Sequence, residues 1–287
     1  MRYRFLCFPG GKRKAVTFSY DDGCRHDIRF ADILLKYGLK ATFNINSGLL
    51  GKDEKDWHLT AEEIQEHLIS KNFEIANHGA YHKANGLLRP VEGIQEVLNC
   101  RLSLEKTFGG IIRGMAYPDS GINHFENRAS YENIRRYLND LDIAYVRTTV
   151  NDHSFRLPTD WYAWNPTCHH SDKDTMDLIE QFLLIDSNPS YLANRYPRLF
   201  YIWGHSYEFE NNHNWAFLEE ICEKLSGHDD IWYATNMEIY NYVNAYNSLV
   251  FNADSTVVFN PTLFKIWFSF DENFYEVEPG ETISLVE

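Results

Sequence analysis

Short apolar runs recur along the chain, and most are separated by stretches of helical period. Val16–Tyr20, Ala41–Ile45, Phe73–Asn77, Ile111–Tyr117, Ile143–Thr149, Leu199–Gly204 and Ile231–Thr235 read as buried strands. Between them, Ile94, Leu98 and Leu102 fall four apart ahead of Gly109, the spacing of one helix face. Met176, Ile179, Phe182 and Leu183 mark another amphipathic helix. Thr60-Ala61-Glu62-Glu63 has the form of a capping box, with Leu59 and Ile64 placed to staple the helix start. Such alternation predicts an α/β fold of parallel strands with helices packed outside. Roughly seven βα units favour a closed or nearly closed barrel over an open sheet.

The pattern changes after residue 248. From Leu249 to Glu287 apolar and polar residues alternate, punctuated by Asn-Pro, Asp-Glu-Asn and Pro-Gly turn signals. Three or four antiparallel strands are expected there. The chain thus divides into a barrel over residues 1–248 and a small β appendage over 249–287, packed on the barrel because so few strands rarely stand alone.

Composition narrows the function classes. A length of 287 residues with 44% hydrophobic and 15% aromatic residues supplies a substantial core. The formal net charge of −14 argues against a nucleic-acid partner or an anionic membrane surface. Cys7, Cys24, Cys100, Cys168 and Cys222 form no CxxC pair and read as reduced thiols. The apolar stretch near the N-terminus is cut by Pro9-Gly10-Gly11, too short for a signal peptide, and no segment approaches a membrane span. A cytoplasmic location is the expectation.

In a βα-barrel, chemistry gathers where strands end at their C-termini. The first strand runs into Asp21-Asp22-Gly23, the third into His78 and His82, the fourth into Tyr117-Pro118 and the sixth into His205. Asp-Gly alone is a common turn signal. The histidines, however, sit four apart just past a strand, and with one carboxylate they complete a two-His, one-Asp set that leaves coordination positions open for water and substrate. Neighbouring residues on an extended segment point opposite ways, so one aspartate can hold a metal while the other moves protons. Asp22 is assigned the first role and Asp21 the second.

"TFSYDDG", "HGAYH", "RGMAYP" and "WGHSYEF" resemble, in order, the motifs of the polysaccharide deacetylases with the NodB-homology fold, carbohydrate esterase family 4. The resemblance spans roughly residues 14–240 and implies a distorted, incomplete (β/α)7 barrel. It also implies one divalent ion, zinc first with cobalt, nickel or manganese as alternatives, and hydrolysis of an acetyl group on an N- or O-acetylated sugar or glycan. Carried over, it makes Asp21 the general base, Asp22, His78 and His82 the metal ligands, and His205 the general acid. The Tyr117 backbone N–H would help hold the oxyanion, and Arg113 would position the base.

The chain departs from those motifs at two places. Met115-Ala116 precedes Tyr117-Pro118 instead of the tighter Arg-x-Pro-Tyr order. The family's Asp-Trp motif has no clean copy; Asp160-Trp161 is the nearest candidate, and Trp161 and Trp164 are expected to line the substrate groove together with Tyr117. His169 and His170 lie in the same loop. Hydrolysis of a cyclic amide or another non-peptide C–N bond is the alternative on the same fold, and a non-catalytic carbohydrate-binding protein is the alternative of a different class. A two-His, one-carboxylate iron oxygenase conflicts with the βα alternation.

Overall fold

The computed structural model describes residues 3–51, 57–185 and 190–285, so residues 286–287 of the expected appendage lie outside it. Among the described residues the strands are β1 (Arg4–Cys7), β2 (Lys14–Asp21), β3 (Ala41–Ile45), β4 (Glu74–Asn77), β5 (Gly114–Ala116), β6 (Tyr145–Arg147), β7 (Cys168–His169), β8 (Arg198–Gly204) and β9 (Ile231–Tyr233). The C-terminal part adds β10 (Val250–Phe251), β11 (Val257–Phe259), β12 (Ile266–Phe270), β13 (Asn273–Val277) and β14 (Thr282–Ser284). The helices are α1 (His26–Lys36), α2 (Ala61–His67), α3 (Pro90–Phe108), α4 (Tyr131–Asp140), α5 (Thr175–Leu183), α6 (Ser206–Asn211), α7 (Trp215–Leu225) and α8 (Asn236–Asn247).

Seven parallel strands form one curled sheet in the order β6-β5-β4-β3-β2-β8-β7. β3 pairs with residues 18–21 of β2, and β9 takes the lower half of that edge at residues 14–16. The curl nearly closes through one segment. Trp164 hydrogen-bonds to β6 on both sides, donating to Val146 and accepting from Thr148, while Cys168 and His169 pair with β8. This is the incomplete barrel expected from the sequence.

β2 is buried along its whole length, as a central parallel strand covered on both faces must be. Its alternate residues split between two cores. Val16, Phe18 and Tyr20, with Phe200 and Ile202 of β8, face the helices α1, α5 and α7. Ala15, with Leu199, Tyr201, Tyr145 and Trp164, faces the barrel interior, which α8 and the appendage close from below.

The C-terminal strands form two three-stranded antiparallel sheets, β1-β12-β13 and β10-β11-β14. Among the described residues they number five, more than the alternation suggested, and β1 comes from the other end of the chain. Tyr242 of α8 ties β1 to β12, donating its hydroxyl to the Cys7 carbonyl and accepting the Trp267 N–H. The capping box at Thr60 is present, with Leu59 and Ile64 buried. α3 differs from the expectation: its buried stripe runs through Gly93, Val97, Cys100 and Leu104, and Leu102 is exposed. Ile111 is also exposed and precedes the strand it was expected to begin.

Trp164 is 1% exposed, with Tyr145, Trp161 and Tyr201 rings within 5.3 Å of its own. Truncating a buried aromatic leaves a cavity, so Trp164→Ala should lose about 3–5 kcal/mol of stability in urea denaturation. A loss under about 1 kcal/mol would show that the side chain is not core.

Candidate metal centre

Asp21 is the last residue of β2, and Asp22 begins the turn after it with φ +83°, a left-handed conformation uncommon outside glycine. The Asp22 N–H is held by the Asn44 carbonyl at 3.0 Å. This turn gives the two carboxylates different nearest partners, with His78 Nε2 3.8 Å from Asp21 Oδ2 as well. Asp21 is buried, accepts a 2.8 Å hydrogen bond from Asn44 Nδ2 on β3, and forms an ion pair with Arg147 from the end of β6. Asp22 Oδ1 lies 3.5 Å from His78 Nε2 and 3.3 Å from His82 Nε2.

The loop after β4 aims both imidazoles. His78 Nδ1 lies 3.0 Å from the Ala116 carbonyl, which orients Nε2 towards Asp22. Asn46 Nδ2 donates to the carbonyls of His78 and Gly79, and Glu96 Oε1 accepts the Tyr81 and Lys83 N–H groups. Gly79 has φ +73°, and a Cβ there would come 2.9 Å from Glu96 Oε1, so the bend requires glycine. The two rings end 4.9 Å apart, centre to centre.

These three residues fit a divalent cation. Asp22 Oδ1 and His78 Nε2 are buried without a hydrogen-bond partner among the described residues, and the ligand atoms of Asp22, His78 and His82 all lie within 4.8 Å of one another. Unpartnered buried polar atoms are costly, and two imidazoles with a carboxylate are a catalytic-type donor set.

His205 faces the triad from the start of α6, with Nε2 4.0 Å from Asp22 Oδ2 and Nδ1 3.3 Å from Glu208 Oε1. Ser206 pins this helix start by donating to the buried Asp27 at 2.6 Å. Burial pushes the Asp27 carboxyl well above its usual range.

Electrostatics separate the groups. Burial would raise Asp21, but the charges of Arg147, His78 and His205 hold its carboxyl below the ordinary range. Burial likewise opposes ionisation of Asp22, yet the contact with His78 and the nearby imidazoles bring it down to about 2. For His205 burial favours the neutral ring, and the Glu208 contact with the charges of Asp21 and Asp22 outweighs it, raising the pKa. Burial pushes His169 down to about 4.

Asp21, Asp22, His78, His82 and His205 therefore converge, whereas four other expected residues are placed differently. Arg113 precedes β5 and pairs with Asp142 at 2.7 Å, at the opposite end of that strand from Tyr117. The guanidinium beside Asp21 belongs to Arg147, which the sequence reading missed although its strand was recognised. The Tyr117 N–H already donates to the Arg147 carbonyl at 3.0 Å, and its ring is buried, its hydroxyl bonded to the Tyr162 carbonyl. Neither is free for substrate. Trp164 is interior core, and Trp161 packs against it and Tyr240, because the loop carrying them is drawn into the barrel. Glu208 was also missed; its signal is the three-residue spacing from His205 on a helix.

The polysaccharide deacetylase family model matches residues 9–145, just under half of the chain. That span holds Asp21, Asp22, His78 and His82 and ends before His205. No curated protein matches in sequence. Among solved structures, a candidate polysaccharide deacetylase from Mycobacterium smegmatis is 16% identical, with a TM-score of 0.56 over 86% of this chain and 96% of that one. The PuuE allantoinase is 13% identical, with a TM-score of 0.56 over 82% and 91%. The Streptococcus pyogenes deacetylase PplD, in complex with acetate, is 19% identical with a TM-score of 0.45; the match covers 51% of this chain and 61% of that one, less than two thirds of its length. Residues 9–145 match the polysaccharide deacetylase model, and the fold is of the carbohydrate esterase family 4, NodB-like kind. At these identities the structural likeness establishes the fold, and the reaction has to be argued from the site.

The depressed pKa of Asp22 has a consequence for acid stability. A carboxylate at 3.8 in the unfolded chain and about 2 in the folded one contributes stability that is complete above the unfolded value and lost as pH falls through the folded one. In metal-free protein this amounts to roughly 2 kcal/mol. Asp22→Asn should therefore flatten the fall in urea-denaturation stability between pH 5 and pH 2 (both approximate limits). An unchanged fall would contradict the assignment.

Proposed function

We propose that the protein hydrolyses an acetyl group from an N- or O-acetylated sugar or glycan. The observation that carries this reading is the division of labour in Asp21-Asp22: one carboxylate lies 3.5 and 3.3 Å from two imidazoles, the other is buried in an ion pair with a guanidinium, with His78 Nε2 further off at 3.8 Å. Asp22, His78 and His82 would hold the divalent ion, which when bound polarises the acyl oxygen and lowers the pKa of a water to about 7.

The protein's own groups supply the rest. Asp21, kept anionic by Arg147 and oriented by Asn44, accepts a proton from the attacking water. His205, its Nδ1 fixed by Glu208 and its Nε2 towards the triad, delivers a proton to the departing amine or alcohol. Its raised pKa suits a proton donor near neutrality. Since the Tyr117 N–H is engaged, it is not available as the oxyanion donor, and that charge falls to the bound cation. Tyr207, its ring 5.1 Å from that of His205, and Trp57, 5.5 Å beyond it, replace Trp161 and Trp164 as the aromatic wall for a sugar face.

An acetate-release screen of zinc-, cobalt- and nickel-loaded protein over N- and O-acetylated sugars tests this. Release from at least one sugar is expected; hydrolysis of a cyclic ureide alone would favour the amidohydrolase alternative, and no turnover with sugar binding would make it a non-catalytic module. Asp21→Asn should keep its metal and lose about a hundredfold or more in kcat, since it removes a base and no ligand. His82→Ala should lose the triad's metal and activity together. A fully active Asp21→Asn would remove the base from the scheme.

A further inference from the structure

Beyond the triad, a second group of side chains converges at the same rim. β7 ends at His169, and a tight turn, in which Asp172 donates its N–H to the His169 carbonyl, follows at once. Consecutive residues on a strand would diverge. The turn brings both imidazoles to one side, their ring centres 4.5 Å apart. Glu208, on the first turn of α6, points between them.

Glu208 Oε2 lies 3.0 Å from His170 Nε2 and 3.3 Å from His169 Nε2. Both are ion-pair contacts, and Oε2 is buried, facing the two ring nitrogens and no other donor among the described residues. The same sign marks Asp22 in the first triad. His170 is steered through its other nitrogen, with Nδ1 3.1 Å from Tyr20 Oη, whereas His169 Nδ1 lies 2.7 Å from Ser171 Oγ and accepts the Ser171 N–H at 3.2 Å. A ligand histidine is commonly oriented by donating from its far ring nitrogen, as His170 can to Tyr20 Oη. The ring of Phe209 stacks on His170 at 4.2 Å. A Cβ on Gly204 would overlap the His170 ring, so β8 ends in the residue that leaves room for it.

We propose that His169, His170 and Glu208 form a second divalent-cation site, distinct from the Asp22–His78–His82 triad. Two imidazoles and one carboxylate select zinc, cobalt or nickel over calcium or magnesium. An ion there fixes Glu208 through Oε2 while Oε1 remains on His205 Nδ1, so that occupancy holds the His205 ring in place. The site does not depend on the hydrolytic reading.

Cobalt(II) titration into metal-free wild-type protein, followed by its visible absorption, should level off at two equivalents. After desalting, His169→Ala/His170→Ala and His82→Ala proteins should each retain one equivalent by elemental analysis, held at the remaining site. One equivalent in the wild type, lost in His82→Ala, would overturn the second site and reduce the cluster to a scaffold for His205. One equivalent that survives His82→Ala and disappears in the double variant would uphold the second site and overturn the triad instead. No bound cobalt in wild-type protein would overturn both. Because the wild-type titration counts sites without any substitution, a variant that fails to fold does not shelter the proposal.

Discussion

The left-handed turn at Asp22 is the constraint on which the site depends. A non-glycine residue in that region costs about 1 kcal/mol or more, and here the conformation is held by the Asn44 carbonyl and the glycine that follows. Were the chain to continue as a regular strand, Asp22 would point away from the face it now shares with His78 and His82. The turn gives two adjacent, chemically identical side chains different surroundings, and therefore different work.

The buried Asp21–Arg147 pair belongs to the same economy. Removing two charges from water costs several kcal/mol per ion, so such a pair is weak grounds for stability, although breaking it leaves an uncompensated charge. Its value lies in the site: Asp21 stays ionised while fully desolvated, and Asn44 and Arg147 leave it little rotational freedom. The Arg147 guanidinium is itself held over the Trp203 ring at 4.2 Å, so one strand end organises the base and packs on β8. At the far side of the triad, Glu208 holds His205 from its own helix turn.

Residues whose role follows from position at a strand end were legible in the sequence. Asp21, Asp22, His78 and His205 sit at or just past the end of a strand, and His82 is four residues beyond His78, so the strand assignment carries these side chains to the rim. Arg113 failed because it was read from motif proximity: lying before its strand, it is placed at the other end of the sheet. Arg147 was hidden because an arginine closing a strand has no local mark; only the curl of the sheet, bringing β6 round to β2's end, places it beside Asp21. Trp161 and Trp164 were misplaced because aromatics that could stack on a sugar are indistinguishable by residue type from aromatics that fill a barrel. The pairing of β1 with β12 joins segments more than 250 residues apart, and no local pattern announces it. The buried stripe of α3 was missed for a related reason: Gly93, Val97 and Cys100 form it with Leu104, while Leu102 faces out.

The central claim is that the two neighbouring aspartates hold different partners. Crystals of the zinc-loaded protein, with anomalous scattering measured at the zinc edge, test it most directly. The account predicts an ion about 2.0–2.2 Å from an Asp22 oxygen and from Nε2 of His78 and His82, with Asp21 outside the coordination shell and still paired with Arg147. An ion ligated by Asp21, or none between these three side chains, would contradict it.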